Sequence, residues 1–336
     1  MSPPRSFRGF TLLELLVAVS VTLVIAGLML AVTTNVLNLW RRSQASYTQA
    51  ATARLVFDWL EQDLQAAIWR RDTNRWLAAD ILDSPGSLSN HGWLLGPRVM
   101  KPSNGGSLLP LPPPEAGGER LLRNARFGLS GSWLRFVTTN VESGGSLPAV
   151  VAYQIARRPI TGDPLATNPA AVRYSLYRSA ISSAATFASG YDVTSGAYAS
   201  TTNNPSSASS TAYRAARNVM NPSQANLLGS NVVDFGCWLY VRNADHTLRR
   251  IHPTGAGDLS HHAIGSSTAT DNRYPEVADI MLRILTEEGA TLLEAIEAGR
   301  VPRPPSYATD AGWWWGVVEG NSQVFTRRFA IKGIAL

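Results

Sequence analysis

Residues 8–40 read RGFTLLELLVAVSVTLVIAGLMLAVTTNVLNLW, and this stretch decides how the rest of the chain is understood. No charged side chain occurs from residue 15 to residue 40, a run of 26 positions. Coiled as a helix at ~1.5 Å per residue, that run is about 39 Å long, enough to cross a hydrocarbon layer about 30 Å thick. Arg41 and Arg42 close it on the far side. The nine residues before Phe10, MSPPRSFRG, are polar and basic, and Pro3-Pro4 keeps them from starting a helix. A secretory signal peptide has a shorter apolar region and a small-residue exit, and Ala18, Ser20, Ala26 and Gly27 do not form one. A signal anchor fits the length but leaves Glu14 unexplained. A carboxylate near the bilayer centre costs about 2.5–3.5 kcal/mol, less near the interface, so such a residue has a partner or a task. Cleavage after Gly9 would free an amine at Phe10, one helical turn before Glu14 and on the same face.

Arg8 to Glu14, R-G-F-T-L-L-E, resembles the leader junction of type IV pilins and type II secretion pseudopilins. The resemblance implies a prepilin peptidase and N-methyltransferase that cuts between Gly9 and Phe10 on the cytoplasmic face and methylates Phe10. It implies that Glu14 meets the N-terminal amine of a neighbouring subunit and sets axial register. It also implies an inner-membrane assembly platform and other pilins or pseudopilins as partners, bound through the N-terminal helix. No cofactor is implied. The expected fold is α+β, a long N-terminal helix packed on an antiparallel β-sheet domain with large loop insertions. The expected organisation is a leader at 1–9, a transmembrane or filament-core helix at 10–42, and a soluble part at 43–336 that opens with the helix's amphipathic continuation over 43–70.

That continuation is read from Ala53, Phe57, Leu60, Leu64 and Ile68, which recur at helical spacing while Arg54, Asp58, Glu61 and Asp63 take the remaining positions. One helix is therefore expected from about residue 10 to about residue 70. Basic residues flank the apolar run on both sides, so charge asymmetry leaves orientation nearly open. Cleavage on the cytoplasmic side, together with Asp58, Glu61 and Asp63 downstream, favours a soluble part outside the cytoplasm, first in the inner membrane and then in a filament.

Beyond residue 84 the chain reads as strands and loops. Residues 85–119 are rich in Pro and Gly and are expected to form a loop. Strands are expected at 133–139, 149–156, 172–179, 232–242 and 277–285, a short hairpin return at 247–251, and a last strand within 324–334. VRYSLYR (172–178) alternates as a half-buried strand would. A helix is expected over 287–298, ending at Gly299. Residues 179–212, rich in Ser, Ala, Thr and Asn, read as a surface loop. The order of these short hydrophobic segments resembles the J-type pseudopilins and PilW-like minor pilins, in a longer chain. The presence of Glu14 argues against the K-type tip subunit.

No enzyme motif is present: Walker A, HExxH, GxSxG and CxxC are all missing from the sequence. The lone Cys237 reads as a buried structural thiol. His246, His252, His261 and His262 read as loop histidines, and Asp271, Glu276 and Asp279 match no calcium-loop spacing. The formal charge of +6, falling to +4 once the leader's two arginines leave, supports a nucleic-acid partner only weakly. Trp313, Trp314 and Trp315 are read as a strand, where three neighbours cannot all face one core. At least one is expected to point outward, either as a lid over the sheet or as a contact with another subunit. A subunit of a pilus or secretion filament, at or near the tip, is the leading functional reading. The alternative is a membrane-tethered extracytoplasmic binding module that does not polymerise.

Overall fold

The computed structural model describes residues 11–82, 93, 101, 108–139, 147–159, 172–195, 222, 224–266 and 272–335. Gly9 and Phe10 lie outside the described residues, as do His91, Asp271 and residues 196–212 of the Ser/Asn-rich run. Two compact units divide at Thr48 and Gln49.

The first unit holds the apolar part of helix α1 (Leu12–Gln65), exposed along its length in the isolated chain. Its few hydroxyls are satisfied within the helix. Ser20 donates to the Leu16 carbonyl, Thr22 to Ala18, Thr33 to Met29 and Thr34 to Leu30, each at 2.8–3.0 Å. That arrangement lets polar residues sit in an apolar medium without an orphan donor.

The second unit is β-rich. It contains the remainder of α1, β1 (Ile68–Trp69), β2 (Arg75–Ile81), β3 (Ser132–Thr138), β4 (Ala149–Pro159), β5 (Val172–Ala180), the short α2 (Ser183–Ala188), β6 (Leu227–Ser230) and β7 (Val232–Arg242). It continues with β8 (Leu248–His252), β9 (Ser260–Ile264), β10 (Val277–Leu285), α3 (Glu287–Glu297), α4 (Asp310–Gly320), β11 (Ser322–Ala330) and β12 (Ile334–Ala335). An antiparallel six-stranded sheet has the order β6-β5-β4-β3-β2-β9, and an antiparallel four-stranded sheet the order β11-β10-β7-β8. β1 and β12 form a small parallel pair. The two large sheets share one core, in which the Phe235 ring of β7 lies 6.5 Å from the Tyr153 ring of β4. Gly131 lets the chain enter β3 at φ +68°, where a Cβ would stand 2.5 Å from the Phe235 carbonyl oxygen.

This is the expected α+β, pilin-like fold, and the departures from expectation are local. α1 stops at Gln65, not near residue 70, because Ala67 bridges to Thr138 and Ile68 pairs with Ile334. Sheet pairing has overridden a helical pattern there. β5 is buried on both faces, not one: Tyr177 and Ser175 are covered as fully as Tyr174 and Leu176. On its polar side Arg173 reaches Glu294 and Glu287 of α3. α3 begins under a Thr286 cap that accepts from the Gly289 amide at 3.0 Å, and Gly299 follows its end at φ +72°.

The three tryptophans require the largest correction. They lie on a helix, α4, capped by Thr309, which accepts from the Gly312 amide at 3.0 Å. All three are buried. Trp314 donates from its indole N–H to Glu297 at 2.9 Å and meets Tyr174 edge-on, while Trp315 lies under the Arg126 guanidinium at 4.6 Å. Helical twist spreads consecutive residues around the axis, and α4 is packed so that each position finds a wall. In this chain they offer no outward ring, so the expected surface contact at Trp313–315 has no exposed aromatic to rest on.

Candidate functional site

The site begins at the first turn of α1. Leu12 is the first helical residue, which makes Thr11 the cap and Glu14 the third helical position, the T-x-x-E spacing of a capping box. The geometry agrees. Thr11 donates to Glu14 Oε2 from its backbone N–H at 2.9 Å and from its hydroxyl at 3.0 Å, and the Glu14 N–H donates to Thr11 Oγ1 at 3.2 Å. Glu14 Oε1 has no hydrogen-bond partner among the described residues. The carboxylate is thus held by one oxygen and open at the other, with a negative charge at the positive end of the helix dipole. After it come Leu15, Leu16, Val17, Val19, Val21, Leu23, Val24 and Ile25, each at least 48% exposed, a surface too apolar to be left in water. The helix is long and apolar enough to cross a membrane.

Residues 49–65 of α1 are anchored within the β-rich unit. Ala53, Val56, Phe57, Leu60 and Leu64 are buried, and Gln49 Nε2 donates to the Ile284 carbonyl at 2.7 Å. A charged clamp accompanies this apolar stripe. Asp63, fully buried, accepts two bonds from Arg178 of β5, from Nε at 2.7 Å and Nη2 at 2.9 Å, and a third from the Tyr153 hydroxyl of β4. The Arg178 guanidinium also lies 4.7 Å from the Trp59 ring. Burial and the Asp63 charge push the Tyr153 hydroxyl well up, so it stays a donor. Reading Asp63 as a solvent-facing position was wrong. Val56, Leu60 and Asp63 stand at i, i+4 and i+7, so the acid belongs to the apolar stripe, and that spacing was the available signal.

Of the four histidines expected in loops, three lie on strands instead. His246 occupies an exposed turn, but His252 ends β8 and is fully buried, with Nδ1 3.5 Å from Asp258 Oδ1. His261 and His262 lie on β9, where His261 Nε2 contacts the Arg273 carbonyl at 3.1 Å and His262 Nε2 contacts Asp80 at 2.9 Å. Among the described residues no three His, Cys, Asp or Glu side chains converge as a metal site. Glu276 is held by Arg273 and Arg242, and Asp279 by Arg328. Cys237 is buried, and its thiol is pushed up to about 12 by burial, so it is inert.

Burial, then the neighbouring His252, lowers His261 to about 4 from its ordinary 6.5, and burial followed by Arg135 and Arg75 lowers His262 in the same direction. Between those values the unfolded chain binds more protons than the folded one. Stability is therefore expected to fall as pH drops from 6.5 towards about 4, by on the order of 3 kcal/mol from His261, whose own contribution levels off below. Urea midpoints followed by tryptophan fluorescence across that window check this, and His261→Gln should flatten the slope.

Residues 4–30 match the family described as the prokaryotic N-terminal methylation motif, the signature of prepilins and pseudopilins. No curated protein and no solved structure matches the chain. The motif implies processing by a peptidase and methyltransferase of pilin biogenesis.

Proposed function

We propose that this chain, with a prepilin and pseudopilin signature on a pilin-like fold, is a minor structural subunit of a type IV pilus or type II secretion-like filament, at or near its tip. The observation that carries the reading is the juxtaposition of the methylation motif at 4–30 with an exposed apolar half of α1, uncharged from residue 15 to residue 40, that is preceded by one acid, Glu14, in the first turn. The subunit performs no covalent chemistry. It waits in the inner membrane as a single-pass protein with its β-rich unit outside the cytoplasm. It then enters the filament through α1. A β-rich unit that runs from Gln49 to Leu336 supports a sparse position, because such bulk repeated at every helical step would crowd a shaft.

Maturation tests the first half of this reading. Protein recovered from cells that carry the peptidase is expected to begin at Phe10 with one added methyl group; a start at Met1 would overturn it. The second half turns on Glu14, whose open Oε1 is suited to accept the amine of a neighbour or of Phe10 itself. Leaving that amine unmatched in a low-dielectric setting is costly. Glu14→Ala is expected to leave cleavage intact while lowering recovery of the subunit in sheared filaments. Because Glu14 also closes the capping box, Glu14→Gln is the sharper variant. It keeps an oxygen for the Thr11 N–H but loses the charge, so a Gln variant that assembles like the parent would remove charge pairing and leave capping as the role. Cross-links from α1 to other pilin-like subunits support insertion. Monomers alone under assembling conditions would favour a tethered binding module instead.

A further inference from the structure

Natural sheets protect their edges by keeping edge strands short, breaking their pairing or placing charges across them. Three of the four edges of the two large sheets follow this rule among the described residues. β6, β8 and β9 have 4, 5 and 5 residues, and each sits in a pairing interrupted by a register shift. β11 does not. It runs for 9 residues, contains no proline, and pairs with β10 in unbroken register from Val277↔Ala330 to Leu285↔Ser322. Its outer edge meets no other strand among the described residues, and Thr326, Arg327 and Arg328 at its middle are exposed.

The two arginines would ordinarily guard such an edge, but both are drawn away from it. Arg327 reaches back to Asp58 (3.3 Å) and Glu61 of α1, and Arg328 makes two bonds to Asp279 on β10, at 2.6 and 2.7 Å. Three carboxylates therefore neutralise two guanidiniums in place, and the edge carries no positive field that would repel an identical edge. We propose that β11 is a homotypic docking edge, at which two copies of this chain pair antiparallel about a two-fold axis through Thr326. Thr326 is the midpoint of the strand, so all nine residues find a partner in that register. Phe325 falls opposite Arg327, Val324 opposite Arg328, Gln323 opposite Phe329 and Ser322 opposite Ala330, and no arginine faces an arginine. Cross-strand pairs of this kind stabilise a sheet, and the contact is self-complementary as a two-fold interface must be. The pairing joins two four-stranded sheets into one, by the backbone hydrogen bonding that strand addition uses elsewhere. It does not require insertion of the apolar half of α1 into a filament and goes beyond the filament reading.

Disulfide trapping in the full-length chain in detergent micelles tests it. Two-fold pairing brings the two copies of position 326 directly opposite each other. Thr326→Cys is therefore expected to move most of the chain to a disulfide-linked dimer under mild oxidation. The native Cys237 is buried and does not compete. Val324→Cys and Arg328→Cys should each stay monomeric alone and link when mixed, since those two positions face each other only across the pair. Glu288→Cys, exposed at the start of α3, measures chance collision. Trapping at Thr326 no greater than at Glu288, or Arg328→Cys linking as well by itself as Thr326→Cys, would overturn the proposal. Neither result bears on leader removal or on Glu14.

Discussion

Gly9→Val is expected to leave the leader attached, so that the chain recovered from peptidase-competent cells keeps the mass of residues 1–9 and lacks the added methyl group. The resemblance at residues 8–14 places Gly9 immediately before the cut. A residue there must let the peptidase approach the backbone closely, and glycine presents no side chain. Valine adds a Cβ branched at once into two methyls, stiff about χ1 and unable to fold away from the backbone. The consequence reaches past processing. While residue 9 remains joined to Phe10, the Phe10 nitrogen is an amide and carries no charge for Glu14 to meet. Arg5, Arg8 and the Pro3-Pro4 pair also remain in front of the helix. Incorporation into filaments should therefore be lost along with cleavage, whereas Glu14→Ala should separate the two steps. Intact mass and shear-fraction immunoblots read both. Normal maturation of Gly9→Val would place the cut elsewhere and withdraw the assigned roles of Gly9 and Phe10 together.

How much of this was legible in the sequence follows the range of the forces involved. The apolar helix and its first-turn acid are local patterns, read from composition and spacing, and the T-x-x-E cap at Thr11 and Glu14 was written in four consecutive residues. β3, β4, β5, β7 and β10 also announced themselves, because β-branched and aromatic runs bounded by turn residues need no distant information. What failed depended on partners far away in the chain. Asp63 looked like a surface acid until Arg178, 115 positions on, was placed beside it. β9 looked like a loop because its stabilising neighbour, β2, lies far earlier in the chain, with Asp80 182 positions before His262. The run Trp313–Trp314–Trp315 had no apolar/polar period at all, so nothing in it distinguished a strand from the helix that forms under the Thr309 cap. Strand order is likewise non-local: β9 closes the edge of the six-stranded sheet while its predecessor β8 edges the other.

Arg178→Ala is expected to destabilise the β-rich unit by about 3–5 kcal/mol, the cost of leaving a buried carboxylate without its countercharge. Asp63 has no solvent to turn to, and the Tyr153 hydroxyl is no substitute for two charged guanidinium bonds. The arginine also covers Trp59, so its truncation loses packing as well as charge. Arg178→Lys retains the charge but not the two-pronged geometry that fits both carboxylate oxygens, and should fall between the parent and the alanine variant. An exposed ion pair would behave differently, with losses of about 0–1 kcal/mol, which makes the magnitude itself diagnostic. Urea unfolding monitored through tryptophan fluorescence gives the number. A double replacement, Asp63→Leu with Arg178→Leu, decides the mechanism. If the penalty comes from an orphaned charge, removing both partners should restore much of what the single change loses. If the double variant is as unstable as the sum of the two single ones, the clamp's contribution lies in packing at residues 49–65 of α1, and the ion pair is incidental to how this segment is fixed against β4 and β5.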